Sequence, residues 1–296
     1  MNNNSPAPLV SIVCPTYNHE AFITATLDSF IAQQTNFPFE VLVHDDASTD
    51  ATARILADYA TRYPDIIRPF YQTENQFQQG KECIPEIFKH ARGRYIAYCE
   101  GDDYWTDPAK LQIQADFLEA HPDYVLTFHD AMAFDINGER GLQLQGKLRR
   151  DASALELQQG RQLSTLTVCF RNVFHEMPRE LQGAPLSDMC WWSLLGAHGK
   201  GKFLAQIKPA AYRVHPGGIF SMRSEKRKLH MSLQTCQALA NYYYRLGNQP
   251  LYEYFLIHVF TFSLAAISPL QKLQALMLLG RNIGVNLYKR LTTSAT

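Results

Sequence analysis

Leu9–Asn18 reads LVSIVCPTYN. Leu9–Cys14 is a short β-branched apolar run that stops at Pro15, the pattern of a strand buried on both faces. From Ala21 to Gln33 the apolar positions Phe22, Ile23, Leu27, Phe30 and Ile31 recur at helical spacing, which predicts an amphipathic crossover helix. A second strand, Phe39–His44, then closes a βαβ unit.

The same alternation continues. Asp45–Asp50 is a loop in which Ser48, Thr49 or Asp50 can cap a helix running through Ile55, Leu56 and Tyr59. Next come a strand Ile67–Tyr71, a loop through Gln79 and Gly80, a helix Ile84–His90 and a strand Tyr95–Cys99. After Asp107 and Pro108 a helix runs to about His121, followed by a strand Tyr124–His129. Such alternation specifies an α/β fold, a doubly wound and mostly parallel sheet with helices on both faces. Asp135–Arg161 is polar, with Gly138, Gly141, Gly146 and the basic run Lys147–Arg150, and is expected to be a long loop or lid. Ser164–Arg171 is expected as a returning strand and Leu186–His198 as a helix carrying Asp188 near its start. Beyond Arg223 the pattern is helical, so residues 1–222 and 223–296 are expected as two regions.

Composition narrows the function. The 296 residues are 46% hydrophobic and 19% charged, which fits a folded chain of one large or two modest domains. Lys plus Arg equals Asp plus Glu at 28 each, so no overall field favours nucleic acid as a partner. The six cysteines are scattered without a C-x-x-C pair and read as buried free thiols of a reducing cytosol. Met1–Pro8 lacks the basic and apolar regions of a secretory signal, which predicts a cytoplasmic protein. Tyr254–Ile267 is the longest uncharged apolar stretch, shorter than the roughly 20 residues of a membrane-spanning helix.

In open α/β sheets ligands bind beyond the carboxyl ends of the strands. Three polar loops fall there: Pro15–Asn18, Asp45–Ser48 and Glu100–Asp103. Asp102 and Asp103 follow Gly101, whose small size lets backbone approach a ligand, and hard carboxylate oxygens of this kind suit Mg2+ or Mn2+ on a diphosphate. An acidic surface turn is the plainer alternative for a bare Asp-Asp pair. Asp45 and Asp46 can accept a base or ribose hydrogen bond or merely help cap the next helix.

PTYN at Pro15–Asn18, HDDASTD at His44–Asp50 and CEGDDYW at Cys99–Trp105 together resemble the GT-A glycosyltransferases of family 2, in order and in strand context. The resemblance implies a Rossmann-like nucleotide-sugar fold with Thr16, Tyr17 and Asp45 on the nucleotide. Pro15, Asn18, Asp46, Gly80, Lys81 and Gly101 join them as nucleotide-site candidates. It further implies Asp102 on ribose or metal, Asp103 as a metal ligand, and Mn2+ or Mg2+ as cofactor. Glu100 stands where many members carry an aspartate, and GKECIPEI at Gly80–Ile87 replaces the family's A-R-N motif. Lys81 would restore a positive charge near the diphosphate unless it is an ordinary solvated lysine.

LSDMCWW at Leu186–Trp192 resembles the acidic motif beside the acceptor, which makes Asp188 the candidate general base of an inverting transfer, with a helix cap as its alternative role. Glu100, Trp191 and Trp192 are assigned to the sugar or acceptor side, although consecutive helical residues do not share a face, so at most one tryptophan is expected to stack. YRVHPGGIFS at Tyr212–Ser221 resembles the segment after the catalytic helix and offers His215 as a further metal ligand. The other nine histidines, His19, His129 and His175 among them, are treated as structural or unassigned.

The resemblance spans about Leu9–Ser221 and implies a catalytic domain over residues 1–222. It points to transfer of a sugar, from a UDP-sugar by preference, to a glycan, lipid-linked or protein acceptor in surface polysaccharide, lipopolysaccharide or glycoprotein assembly. A sugar nucleotidyltransferase and a catalytically silent scaffold are the competing readings. In residues 223–296, Leu251–Ile267 and Leu270–Leu291 are apolar with Lys272, Arg281, Lys289 and Arg290 interspersed. These helices pack on the rest of the chain or a second subunit, or lie peripherally on the inner face of the membrane.

Overall fold

The computed structural model describes residues 7–81, 84–173, 176–218, 222–267 and 271. Cys83, His175, the 219–221 end of the YRVHPGGIFS segment and most of the expected 270–291 helix, with Lys272, Arg281, Lys289 and Arg290, lie outside the described residues. The chain divides into two compact units, Met1–Met222 and Arg223–Thr296.

The first unit is built on a seven-stranded sheet in the order β3-β2-β1-β4-β8-β5-β9. Its strands are β1 (Val10–Thr16), β2 (Phe39–Asp45), β3 (Ile67–Tyr71), β4 (Tyr95–Tyr98), β5 (Tyr124–Phe128), β8 (Cys169–Arg171) and β9 (Lys200–Phe203). β3, β2, β1 and β4 are parallel, as expected, and β8 runs antiparallel between β4 and β5. Val10, Ile12, Val13 and Cys14 of β1 are fully buried, because apolar layers cover the sheet on both sides. Each such aliphatic side chain contributes roughly 1.5–3 kcal/mol on burial. Helices α1 (Ile23–Ile31), α2 (Thr52–Arg62), α3 (Ile84–Phe88), α4 (Lys110–Ala120), α5 (Ala154–Gln158) and α6 (Ser187–Leu195) complete the unit. The chain steps from β1 outward through β2 and β3, then returns to place β4 on the other side of β1. That reversal opens a crevice at the carboxyl ends of β1 and β4.

Two expectations are corrected. Residues 135–161 are not a featureless lid. Within the segment lie β7 (Gly138–Leu142), which forms a small second sheet, order β10-β6-β7, with β6 (Ala131–Asp135) and β10 (Ala210–Arg213), a 3-10 turn at Gly146–Leu148, and α5, which carries a Ser153–Glu156 capping box. The returning strand is only β8, preceded by a 3-10 turn at Thr165–Thr167.

The second unit holds α7 (Glu225–Arg245) and α8 (Gln249–Ala266). Ser224 caps α7 by accepting from the Arg227 amide at 3.3 Å, and Asn248 caps α8 by accepting from Leu251 at 3.3 Å. Tyr243 and Phe255 stack between the two helices, ring centroids 5.8 Å apart. Among the described residues no helix is long and apolar enough to cross a membrane.

Candidate functional site

Three strand ends deliver polar side chains to one place. β1 ends at Thr16, β2 ends at Asp45, and β4 runs into the turn that carries residues 100–103. The first two loops are laced together. Asn18 N donates to Ser48 Oγ at 2.9 Å, and Asn18 Oδ1 accepts from Thr49 N at 2.7 Å. His19 N donates to Thr52 Oγ1 at 2.9 Å, Glu20 N to Asp50 Oδ2 at 3.0 Å, and Ala51 N to Glu20 Oε2 at 2.8 Å. The lacing holds Asn18 at φ 54° and Ala47 at φ 61°. Asparagine tolerates that conformation, whereas for alanine it costs about 1–2 kcal/mol. Ser48, an expected helix cap, instead donates to Asp45 Oδ1, and Asp50 accepts from Thr52 N at 2.9 Å at the start of α2.

The acidic turn is held equally firmly. Gly101 N donates to Pro15 O at 2.9 Å, and the Thr26 hydroxyl of α1 donates to the carbonyls of Gly101 and Asp103 at 3.0 and 2.6 Å. Trp105 roots the turn in the core, its indole N–H on Leu166 O at 2.8 Å and its ring 4.8 Å from that of Phe30. A Cβ at Gly101 would sit 2.6 Å from Thr16 Oγ1 and 3.0 Å from His19 Nδ1, so only glycine lets the turn approach the first loop this closely.

Held this way, Asp102 and Asp103 are engaged on different sides. Asp102 Oδ2 lies 2.9 Å from His215 Nε2 and 3.8 Å from His19 Nε2. One donor atom from each of His19, Asp102 and His215 falls within 4.8 Å of the others, the metal-ligating group found among the described residues. Burial works to raise the Asp102 pKa, but the His215 hydrogen bond and the two nearby imidazoles outweigh it and hold it below the ordinary range. Burial lowers that of His19. The donors fit a divalent ion, because His19 Nδ1 and Thr16 Oγ1 are buried beside them without a hydrogen-bond partner.

Asp103, expected as a metal ligand, is not in this group. It is buried, and its Oδ1 accepts from Arg213 N at 2.7 Å. Burial, then the charges of Asp102 and Glu100, push its carboxyl well above the usual range. Arg213 braces the turn a second time through Nε to Asp102 O at 2.9 Å, with its guanidinium 4.7 Å from the ring centres of both Phe22 and Phe134.

Glu100 accepts from the Thr165 hydroxyl at 2.7 Å, and its other oxygen is buried without a partner. Burial lifts its pKa to about 7, and the charges of Asp102 and Asp188 add to the rise. Asp188 stands in the first turn of α6, and burial raises its pKa. The tryptophan expectation is corrected. Trp191 and Trp192 are 2% and 1% exposed, in an apolar cluster with Phe88, Tyr98 and Phe170, so neither offers a ring face to a sugar. An apolar helix behind the site gains more by burying both rings than by exposing one.

Asp45 is buried and in register with Tyr71 across β2 and β3, with burial raising its pKa. Asp46, expected beside it on the nucleotide, turns the other way. Its carboxylate accepts the amides of Gln76 and Phe77 at 2.8 and 3.0 Å, so it anchors the loop of residues 72–81. At the end of that loop Gly80 has φ 70°, and Lys81 is exposed with no ion pair among the described residues. Pro15 and Tyr17 are half-buried. Sequence reasoning missed His19, Thr26, Thr165 and Arg213. Only His19 carried a signal, a histidine one residue beyond PTYN at a strand end.

A parallel sheet whose reversal point gathers carboxylates and two imidazoles defines an α/β ligand-binding protein with its site at the strand ends. Residues 11–177 match the model of Glycosyl transferase family 2, and the chain belongs to that family of enzymes. It is 37% identical over 225 residues to the uncharacterized protein Rv1520 of Mycobacterium tuberculosis, a match covering 74% of this chain and 63% of that protein, just under two thirds of the relative's length. Among solved structures, S. aureus TarS 1-349 in complex with UDP superposes with TM-score 0.56 at 22% identity, covering 77% of this chain and 64% of that one. The mannosyltransferase PcManGT of Pyrobaculum calidifontis, in complex with GDP-Man and Mn2+, gives TM-score 0.53 at 17% identity, covering 98% and 83%. At these identities the two structures establish a shared GT-A-like fold.

Proposed function

We propose that this chain is a metal-dependent, inverting glycosyltransferase that moves a sugar from a nucleotide-sugar, by preference a UDP-sugar, to a hydroxyl of a glycan, lipid-linked or protein acceptor. The observation that carries the reading is the His19–Asp102–His215 group at the crevice where β1 and β4 diverge, in a chain of family 2. Bound there, a divalent ion would supply positive charge to the departing diphosphate. Thr16, Tyr17 and Asp45 line the nucleotide side, with the Asp45 carboxylate as acceptor for a base or ribose donor.

Asp188 takes the acceptor hydroxyl proton as that oxygen attacks the anomeric carbon, opposite the leaving nucleotide. Its raised pKa suits a base, since burial makes its carboxylate hungrier for a proton. Glu100, held by Thr165, is assigned to the sugar side of the site. The bound UDP of TarS and the GDP-Man and Mn2+ of PcManGT support a nucleotide-sugar donor and a divalent ion for this chain. A relative named putative teichuronic acid biosynthesis glycosyltransferase TuaG, of Bacillus subtilis, supports surface polysaccharide as the product. We assign the work to the inner face of the cell membrane and give Arg223–Thr296 a contact role, for which exposed Ile257 and Phe260 on α8 are the support. A thermal-shift screen of nucleotide-sugars with Mn2+ tests the donor side, since a ligand of the folded state raises its stability. Stabilisation by at least one donor in the presence of the ion is expected, and none with any donor would overturn the reading.

A further inference from the structure

The donor group at the crevice holds one carboxylate and two imidazoles, and the carboxylates that would make an oxygen-rich site are engaged elsewhere. Asp103 accepts the Arg213 amide, Glu100 the Thr165 hydroxyl, Asp45 the Ser48 hydroxyl and Asp46 the amides of residues 76 and 77. We propose that His19 is the metal-selecting residue of this site, so that the His19–Asp102–His215 set takes Mn2+ or a later first-row divalent ion and discriminates against Mg2+. The inference rests on the metal-dependent reading above for the ion's use, but its chemistry comes from the side chains alone.

Mg2+ seeks oxygen ligands in near-octahedral array and gives up its water reluctantly, whereas imidazole nitrogen suits the first-row transition metals. With two nitrogens and one oxygen, the set is matched to the second class. The imidazoles are also pre-positioned. His19 is fixed through its backbone on Thr52 and through the lacing of residues 18–20 with 48–51. The Phe22 ring packs at 4.7 Å from His215 and 6.2 Å from His19, which restrains both rings. Gly101 leaves room for His19, since a side chain there would meet its Nδ1 at 3.0 Å. A plain ion pair of His215 with Asp102 would need neither the second imidazole nor that clearance.

The test uses the full chain and the ions themselves. Free Mn2+ is followed by electron paramagnetic resonance, without nucleotide and with UDP, and Mg2+ is added as competitor. Displacement should need roughly 100-fold more Mg2+ than Mn2+. His19→Ala should weaken Mn2+ binding by about 10-fold or more, and His19→Asp should narrow the Mn2+ to Mg2+ ratio by a similar factor by restoring an oxygen ligand. Co2+ gives a second readout, its visible absorption changing in His19→Ala, with circular dichroism checking that each variant is folded. If His19→Ala does not fold, His19→Asn, which keeps a polar side chain of similar size, carries the same comparison. Mg2+ displacing Mn2+ at equal concentration, no Mn2+ binding by the wild type, or folded His19 variants with the wild-type ratio would each overturn it. Turnover supported equally by Mg2+ and Mn2+ would sink this inference and leave the transferase reading standing. Selective Mn2+ binding without turnover of any nucleotide-sugar would do the reverse.

Discussion

Lys110 is the clearest place to test the energetics of this fold. Its side chain is fully buried at the start of α4, Nζ donates to Gln114 Oε1 at 2.5 Å, and the ammonium lies 4.3 Å from the centre of the Trp105 ring. No carboxylate is paired with it among the described residues, and burial drops its pKa from 10.5 to about 8. That gap corresponds to about 3 kcal/mol of penalty for holding the charged form. The folded value lies below the unfolded one, so the penalty is present in full below about pH 7. It is relieved as pH rises from about 8 toward 10.5, and stability contributed at this site therefore increases with pH. Lys110→Met removes the charge and keeps the volume, but leaves Gln114 Oε1 without its donor at a cost of about 1–2 kcal/mol. The expected net effect at pH 7 is stabilisation by about 1–2 kcal/mol, shrinking and then reversing by pH 10. Urea unfolding of parent and variant at pH 7, 8.5 and 10 measures the difference directly. A variant less stable at pH 7, by an amount that does not change with pH, would refute the reasoning.

Ala47→Gly should stabilise the protein by about 1 kcal/mol, because glycine accepts φ 61° without the Cβ penalty; a loss of stability in urea melts would contradict the strain argument. Asp188→Asn should lower transfer by roughly 10²–10⁴-fold while UDP binding stays within about twofold, and calorimetry alongside product assay separates the two. Unchanged activity would remove Asp188 from the chemistry. Asp46→Ala should loosen residues 72–81 by about 2–3 kcal/mol through loss of two charge-assisted hydrogen bonds, raising donor KM more than it lowers kcat. Amide exchange in that loop that matches the parent would count against the anchoring role.

Much of the sheet was legible from residues 9–128, because β1 is a β-branched apolar run stopped at a turn signal, the other parallel strands are short apolar runs, and the crossovers have helical periodicity. The bounds of β3 coincide with the expected Ile67–Tyr71. The small sheet was not legible. β7 is GERGL, exposed along its whole length, and β10 is only AAYR, so neither has the alternation that marks a half-buried strand. Gly138 and Gly141, taken as loop residues, in fact serve the β6–β7 ribbon with φ 114° and 121°.

In the site, adjacent carboxylates were the obstacle. At the end of a strand neighbouring side chains face opposite ways, so Asp45 and Asp46 go to different partners, and the turn separates Asp102 from Asp103 in the same manner. The spacing of an Asp-Asp pair holds no information about which member faces the crevice. His19 escaped for a different reason. Its meaning depends on residues 19, 102 and 215 meeting in space, a convergence that only the packing of Gly101 on the first loop reveals.

The most direct test of the central claim is to identify the nucleotide released when the full chain meets nucleotide-sugars and Mn2+. The account predicts a nucleoside diphosphate, formed only with the ion present and lost in Asp102→Asn. Release of a nucleoside monophosphate with sugar 1-phosphate, or no metal-dependent product from any donor, would contradict it.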